Sequence, residues 1–521
     1  MNLDNLAKYL PAGLKLIPEN GMVSFEISED EILELCDGLH NDCGLPLKLI
    51  TATDERQVGE GFKIFYVFGV PKQNYFLVPY LKLKTESFPS ISSKLHEASI
   101  FERKIKTFFG LEPIGNLNTL PVILQENWPD GIYPLRKDFA WNQKVATATH
   151  PDYFSVFQGE GVYEIPVGPV HAGIIEPGYF RFSVLGEEIL LLQAQLGCVH
   201  KGSEKLFETL TLADKLKLSE KISGDSTFSH SLAFCQVIEN LAELKISERT
   251  KYLRVLFSEL ERLANHFGDI GAIMLDAGFN FGGANGARVR EVIMQINERL
   301  TGSRFFRGVN TFGDILADIS KKLAADLIPE LEAIKKDFDE VIEIAENSHS
   351  LLNRLKKTGL LEKEIASDHG VVGVAARACG ISFDVRTDYP YAAYDKVDFK
   401  IQTETGSDVY ARFWVRIKEA RASFEMIEKV LKNLPESIEK NPVENLKLAA
   451  NAYAIGITEG WRGDIVYFVA TDKDGQISRV DVRDPSLLNW TAVPYAVKGN
   501  IVPDFPLINK SFNLSYSGND V

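Results

Sequence analysis

Apolar residues along the chain follow different periods in different stretches. Over Asp30–His40 they fall at Ile32, Leu33, Leu35, Cys36 and Leu39, the spacing of a helix. Leu47–Ala52 and Phe62–Phe68 read as strands, and Tyr75–Leu83 follows a turn at Pro71-Lys72-Gln73-Asn74 in a hairpin pattern. A helix is predicted over Ser90–Phe109, stopping at Gly110. Leu111–Asp152 is rich in Pro, Asn, Trp and Gly and has no period, as in an extended connector. Val162–Gln195 reads as a short β region turning at Gly186-Glu187, and helical patterning then dominates Leu206–Asn353. Ser247 is placed to cap a helix carrying Leu253, Leu256, Leu260, Leu263 and Phe267. Ile315–Leu355 repeats that spacing with an interruption at Pro329, and Arg416–Leu434 ends before Pro435. Asp464–Ala470 and Gln476–Val482 form a hairpin around Asp472-Lys473-Asp474-Gly475, and the last forty residues look irregular.

These patterns predict an α+β protein: a small N-terminal α/β module over 1–110, a connector over 111–152, and a larger, mainly helical domain with small sheets over 153–521. A length of 521 residues fits two to four domains. Apolar residues at 45% and charged residues at 25% are globular values and exclude a disordered or fibrous chain. No apolar run is long enough to span a bilayer, and Met1–Glu19 has no secretory pattern. The net charge of -15 argues against nucleic-acid binding, which draws on a basic surface. Five cysteines are too few for a disulfide framework and suggest a reducing, cytoplasmic setting.

Several short stretches carry chemistry in combination. Glu102-Arg103-Lys104 on a helix is followed by Pro134-Leu135-Arg136-Lys137-Asp138, with Asp54-Glu55-Arg56 upstream. Further on come Gly168-Pro169-Val170-His171, His200-Lys201-Gly202, Glu259 to His266, and Glu459-Gly460-Trp461-Arg462-Gly463-Asp464. Singly, each reads as a solvated charged face, a packed histidine or a paired arginine. In this order, the first group resembles the 30 kDa subunit of complex I, with Lys104 and Thr107 departing from its helix signature. The rest resembles the large subunit of [NiFe] hydrogenases and the 49 kDa-type subunit of complex I. Together they look like the fused large subunit of formate hydrogenlyase-type, energy-converting hydrogenases.

The resemblance implies four thiolates for a nickel–iron centre, from two Cys-x-x-Cys pairs. Ser223 and Ser226 occupy the first pair's positions, and Ser515 and Gly518 the second's, so no metal is expected in this chain. The complex I quinone pair also departs: Gly224 stands at the tyrosine position, and Ile174-Ile175-Glu176 follows His171 where a second histidine belongs. His171, Glu176, Asp225, His230 and Arg462 are expected to line the cavity as candidate catalytic residues. The resemblance places His266 and Lys221 beside the iron–sulfur cluster of a partner small subunit, without ligating it. His266 is expected near the edge of its helix's apolar stripe, and the competing reading is a helix-packing histidine. Gly282-Gly283-Ala284-Asn285-Gly286 lacks the spacing and the preceding strand of a dinucleotide loop. The implied role is a subunit of a membrane-associated oxidoreductase on the cytoplasmic face of the cell membrane. Its partners would be an iron–sulfur small subunit and antiporter-like membrane subunits, with quinone a candidate acceptor and no cofactor bound by this chain itself. The alternative is a catalytically silent adaptor between these partners.

Overall fold

The computed structural model describes residues 5–150, 154, 156–172, 174–436 and 446–521. The last two positions of the expected connector lie outside them. In the N-terminal module, Met22–Glu26, Tyr75–Leu83, Gly61–Val70 and Leu47–Glu55 form a four-stranded sheet in that spatial order. The first pair is parallel and the others antiparallel. Helix Ala98–Phe109 packs on the sheet through Phe101, Ile105, Phe108 and Phe109. It starts later than the predicted Ser90, because the Ser90 N–H bonds to the Ile114 carbonyl, continuing the parallel pairing of Ser87–Pro89 with Glu112–Ile114 of the connector, and the Ile91 N–H bonds to the Glu102 carboxylate. Gly110 ends the helix at a φ of 70°, and a Cβ there would lie 2.3 Å from the Tyr133 ring, so glycine meets both the conformation and the close approach.

Around the large module's central helix, Glu248–Asp276, pack Asn280–Thr301 and Val409–Lys432, with Lys321–Glu346 outside them. Ser247 caps this helix by accepting from the Thr250 N–H, as its sequence position predicts. The glycine-rich run lies inside helix Asn280–Thr301. A Cβ on Gly286 would sit 2.5 Å from the Gly271 Cα, so these glycines let two helix backbones touch. Helix Lys321–Glu346 runs through Pro329 without the predicted break, held by burial of Leu327 and Leu331 on either side. Two three-stranded sheets complete the module: Val162–Val167 with Tyr179–Leu185 and Glu188–Gln195, and Tyr453–Gly460 with Gly463–Thr471 and Ile477–Arg483.

The last forty residues correct the sequence reading. Pro485–Val497, Phe505–Phe512 and Tyr516–Asn519 are helices. The first is buried on nearly all sides and so shows no amphipathic period. Its start was written in the sequence all the same, with Asp484 as cap and Pro485 in the first turn.

Candidate functional site

The turn before helix Thr227–Leu241 and the turn before Tyr516–Asn519 meet beneath the hairpin that carries Arg462. The Ser223 hydroxyl donates to Asp225 at 2.9 Å and lies 2.9 Å from the Ser515 hydroxyl. Arg462 holds both carboxylate oxygens of Asp225 at 2.6 Å and reaches Ser223 at 3.3 Å. Its guanidinium also lies 3.9 Å over the Trp461 ring. Burial would raise the Asp225 carboxyl, but the Arg462 charge outweighs it and holds the group below its usual range. Ser515 caps the terminal helix by accepting from the Gly518 N–H at 2.9 Å, and its own N–H donates to Ser486. Gly518 is tightly placed: a Cβ there would lie 2.5 Å from the Asp484 carboxyl carbon.

Asp484 joins this cluster to a second. Its carboxylate meets His230 Nε2 at 3.0 Å, and His230 Nδ1 meets the Tyr467 hydroxyl at 3.1 Å. Burial pushes the Asp484 carboxyl up, while the His230 contact and Arg462 bring it net below the ordinary value. Glu176 accepts from the Ser517 N–H at 3.0 Å, at the rim of the same assembly. His171 turns away, with Nε2 2.7 Å from the Gly178 carbonyl oxygen of its own loop. Lys221 is exposed, and its carbonyl accepts from Lys201 at 2.6 Å. Ser226 is buried at the entry of helix Thr227–Leu241, its N–H bonded to the Ser223 carbonyl. That helix end is capped by Glu261 of the central helix, which accepts from the Phe228 and Ser229 N–H groups at 2.6 and 3.1 Å. The cluster's polar groups are thus hydroxyls, carboxylates, an imidazole and a guanidinium. The cysteines at 36, 43, 198, 235 and 379 supply none of these contacts.

The position of His266 differs from the expectation of a stripe edge. Its ring is fully buried between helices Glu248–Asp276 and Val409–Lys432, with Nε2 2.8 Å from Glu419. The helix is packed around most of its circumference, so an edge position does not reach its surface. Burial lowers the His266 pKa in spite of the Glu419 contact. Glu419 also meets Arg377 at 2.7 Å, and Arg377 meets Glu459 at 2.8 Å. Arg386 then links Asp384 at 2.7 Å and Glu259 at 3.0 Å. Burial and the neighbouring Asp384 push the Glu459 carboxyl above its usual range, against the pull of Arg377.

Sequence reasoning had not singled out Asp484, Arg377 or Glu419 as site residues. The available signal was a charged residue inside an otherwise apolar stretch, as at Arg377 within Val371–Cys379.

A buried polar core of this kind, on a helical large module fused to a small α/β module, defines a fused subunit of the complex I and hydrogenase type. Residues 25–145 match the family model of the respiratory-chain NADH dehydrogenase 30 Kd subunit, and residues 276–452 and 439–520 match that of the 49 Kd subunit. The chain is 30% identical to formate hydrogenlyase subunit 5 of Escherichia coli (strain K12), over 94% of this chain and 87% of that one. It is 28% identical to the C/D subunit of NADH-quinone oxidoreductase from Phocaeicola vulgatus, over 88% and 91%. A chain of the membrane-bound sulfane sulfur reductase, an archaeal respiratory membrane complex, superposes with a TM-score of 0.65 at 25% identity. That match covers 70% of this chain and 99% of the other. The protein belongs to this family of fused 30 Kd- and 49 Kd-type subunits of complex I-like and hydrogenase-related oxidoreductases. Among the described residues, no helix is long and apolar enough to cross a membrane.

Proposed function

We propose that this chain is the large peripheral subunit of a membrane-associated, complex I-like oxidoreductase that couples electron transfer to ion movement without a [NiFe] centre. The observation that carries this reading is the 2.9 Å contact between the Ser223 and Ser515 hydroxyls, one from each of the two motifs that would supply thiolates. A serine hydroxyl stays protonated near neutrality and is a poor ligand for such a centre. At Gly518, the approach of Asp484 leaves no room for any side chain in the present arrangement. The residues do not fit the metal group; what they offer instead is carboxylates, an imidazole, hydroxyls and a guanidinium in one hydrogen-bonded cluster. Asp225, His230, Arg462 and Glu176 form the polar wall from which protons would be relayed, and quinone is the acceptor this reading favours.

Partners would be an iron–sulfur small subunit and antiporter-like membrane subunits, with the chain on the cytoplasmic face. Lys221, which is exposed, would face the small partner. His266, its buried ring held by Glu419, would lie beneath that partner's cluster without touching it. The relatives' names as subunits of NADH-quinone oxidoreductase and formate hydrogenlyase support the assignment to a complex. The test is elemental analysis and redox titration of the purified complex. The expected result is far less than one nickel per chain, with electron flow that stops in Asp225→Asn while assembly persists. Stoichiometric nickel would overturn the reading, and undiminished electron flow in Asp225→Asn would favour the silent adaptor.

A further inference from the structure

Away from the polar core, a cavity of about 730 Å³ opens where helix Ala98–Phe109, the connector, strand Glu188–Gln195 and helix Pro485–Val497 meet. Its size is that of a small-molecule site. Ile100, Leu191, Leu196, Trp490 and Pro494 supply an apolar wall. Arg103 stands in the lining. Its Nε donates to the Leu120 carbonyl at 2.8 Å, and among the described residues no carboxylate lies within ion-pair distance of the guanidinium. Both terminal nitrogens are therefore free, among the described residues, to donate to water or to a ligand in the cavity. Burial brings Arg103 down to about 10, with no acidic neighbour to offset it. Buried Arg377, Arg386 and Arg479 are paired with carboxylates, and buried Arg412 spends its nitrogens on the Ser511 hydroxyl and the Ser407 and Gly359 carbonyls; half-buried Arg103 has only the Leu120 carbonyl.

We propose that this cavity binds an amphipathic carboxylate, its head held by the Arg103 guanidinium and its hydrocarbon body lying against the Ile100, Leu191 and Trp490 wall. A planar guanidinium matches a carboxylate in a two-bond fork, and the apolar wall rewards a body longer than acetate. The other charged groups of the lining are Lys498, which favours an anion, and Glu97 and Glu126. Burial pushes Glu97 up to about 8, so near pH 7 it is mostly neutral and does not compete for the arginine. His369 is brought down to about 4 by burial and by His96 beside it, and offers a neutral ring to the ligand.

Isothermal titration calorimetry of the full chain at pH 7 tests this with three probes: decanoate, decanol and acetate. Decanoate should bind saturably at one site, decanol at least about tenfold more weakly, and acetate without measurable heat. Arg103→Gln should weaken decanoate by about tenfold or more while leaving decanol unchanged, and Arg103→Lys should fall between, since lysine keeps the charge without the fork. Ala194→Trp, which fills the cavity and leaves Arg103 in place, should abolish decanoate binding. If Arg103→Gln fails to fold, Arg103→Lys and Ala194→Trp decide the question. Equal affinity for decanol and decanoate, no saturable decanoate binding, or decanoate binding that survives Ala194→Trp would each overturn the proposal.

Discussion

Glu261 shows what burial does to a single carboxyl in this interior. It caps a helix of which it is not part, accepting from two N–H groups at the start of Thr227–Leu241 and from the Ser229 hydroxyl. Burial nevertheless raises it from 4.5 to about 7. Between those values the folded protein holds a proton that the unfolded chain has released. Stability therefore falls as pH rises across that window and is flat with respect to this group above it. Glu261→Gln breaks part of the cap at every pH, so the slope is the readout. Urea denaturation of wild type and variant at a series of pH values should show the difference in stability shifting in the variant's favour from pH about 4.5 to 7. Parallel curves would mean that Glu261 is ionised throughout. The sequence already held Glu261 in a conspicuous run with Glu259, Arg262 and His266. What it did not hold was the direction each side chain faces, because neighbouring helices bury positions that a single amphipathic stripe would leave at the surface.

Helices were legible where they have one apolar face, as in Glu248–Asp276, and illegible where they have none, as in Pro485–Val497. The sequence also ruled out a phosphate loop at Gly282–Gly286 without saying what the glycines do. They allow the helices Glu248–Asp276 and Asn280–Thr301 to approach until Gly286 faces the Gly271 Cα, where a Cβ would lie 2.5 Å away. Contact of that kind is rigid, because the obstacle is backbone rather than a side chain that can turn aside. Gly286→Leu should cost about 1–3 kcal/mol in spite of leucine's better helix propensity, since the wedge acts on packing. Gly302→Ala, at a helix end with open space around it, is the control for glycine's conformational role. The measurement is the denaturation midpoint of each variant. A Gly286→Leu protein as stable as wild type would show that the two helices separate freely.

At the scale of the molecule, the N-terminal sheet and the C-terminal sheet share one core. Residues such as Ile50, Phe65 and Leu77 form a buried cluster with Ile457, Val466 and Phe468. Buried charges cross the same boundary. Lys48 meets Asp464 at 2.9 Å, and Lys104 meets Glu204 at 2.6 Å and Asp481 at 3.0 Å. Lys104 is one of the two residues at which the helix departs from the 30 kDa signature, and here it completes a four-charge group with Arg479. Composition and periodicity marked a connector between two modules, but contacts between residues hundreds of positions apart leave no local pattern to read. Coupling this tight predicts that the modules unfold together. Calorimetry of the full chain should give one transition, and Lys104→Ala should lower stability by about 3–5 kcal/mol, because it leaves two buried carboxylates sharing the single charge of Arg479. Adding Asp481→Ala should recover part of that loss, since one carboxylate, Glu204, then faces the one remaining cation, Arg479. Two separate transitions in the wild type, with only one of them moved by Lys104→Ala, would mean that the boundary transmits no folding energy and that the shared core is a contact between independent units.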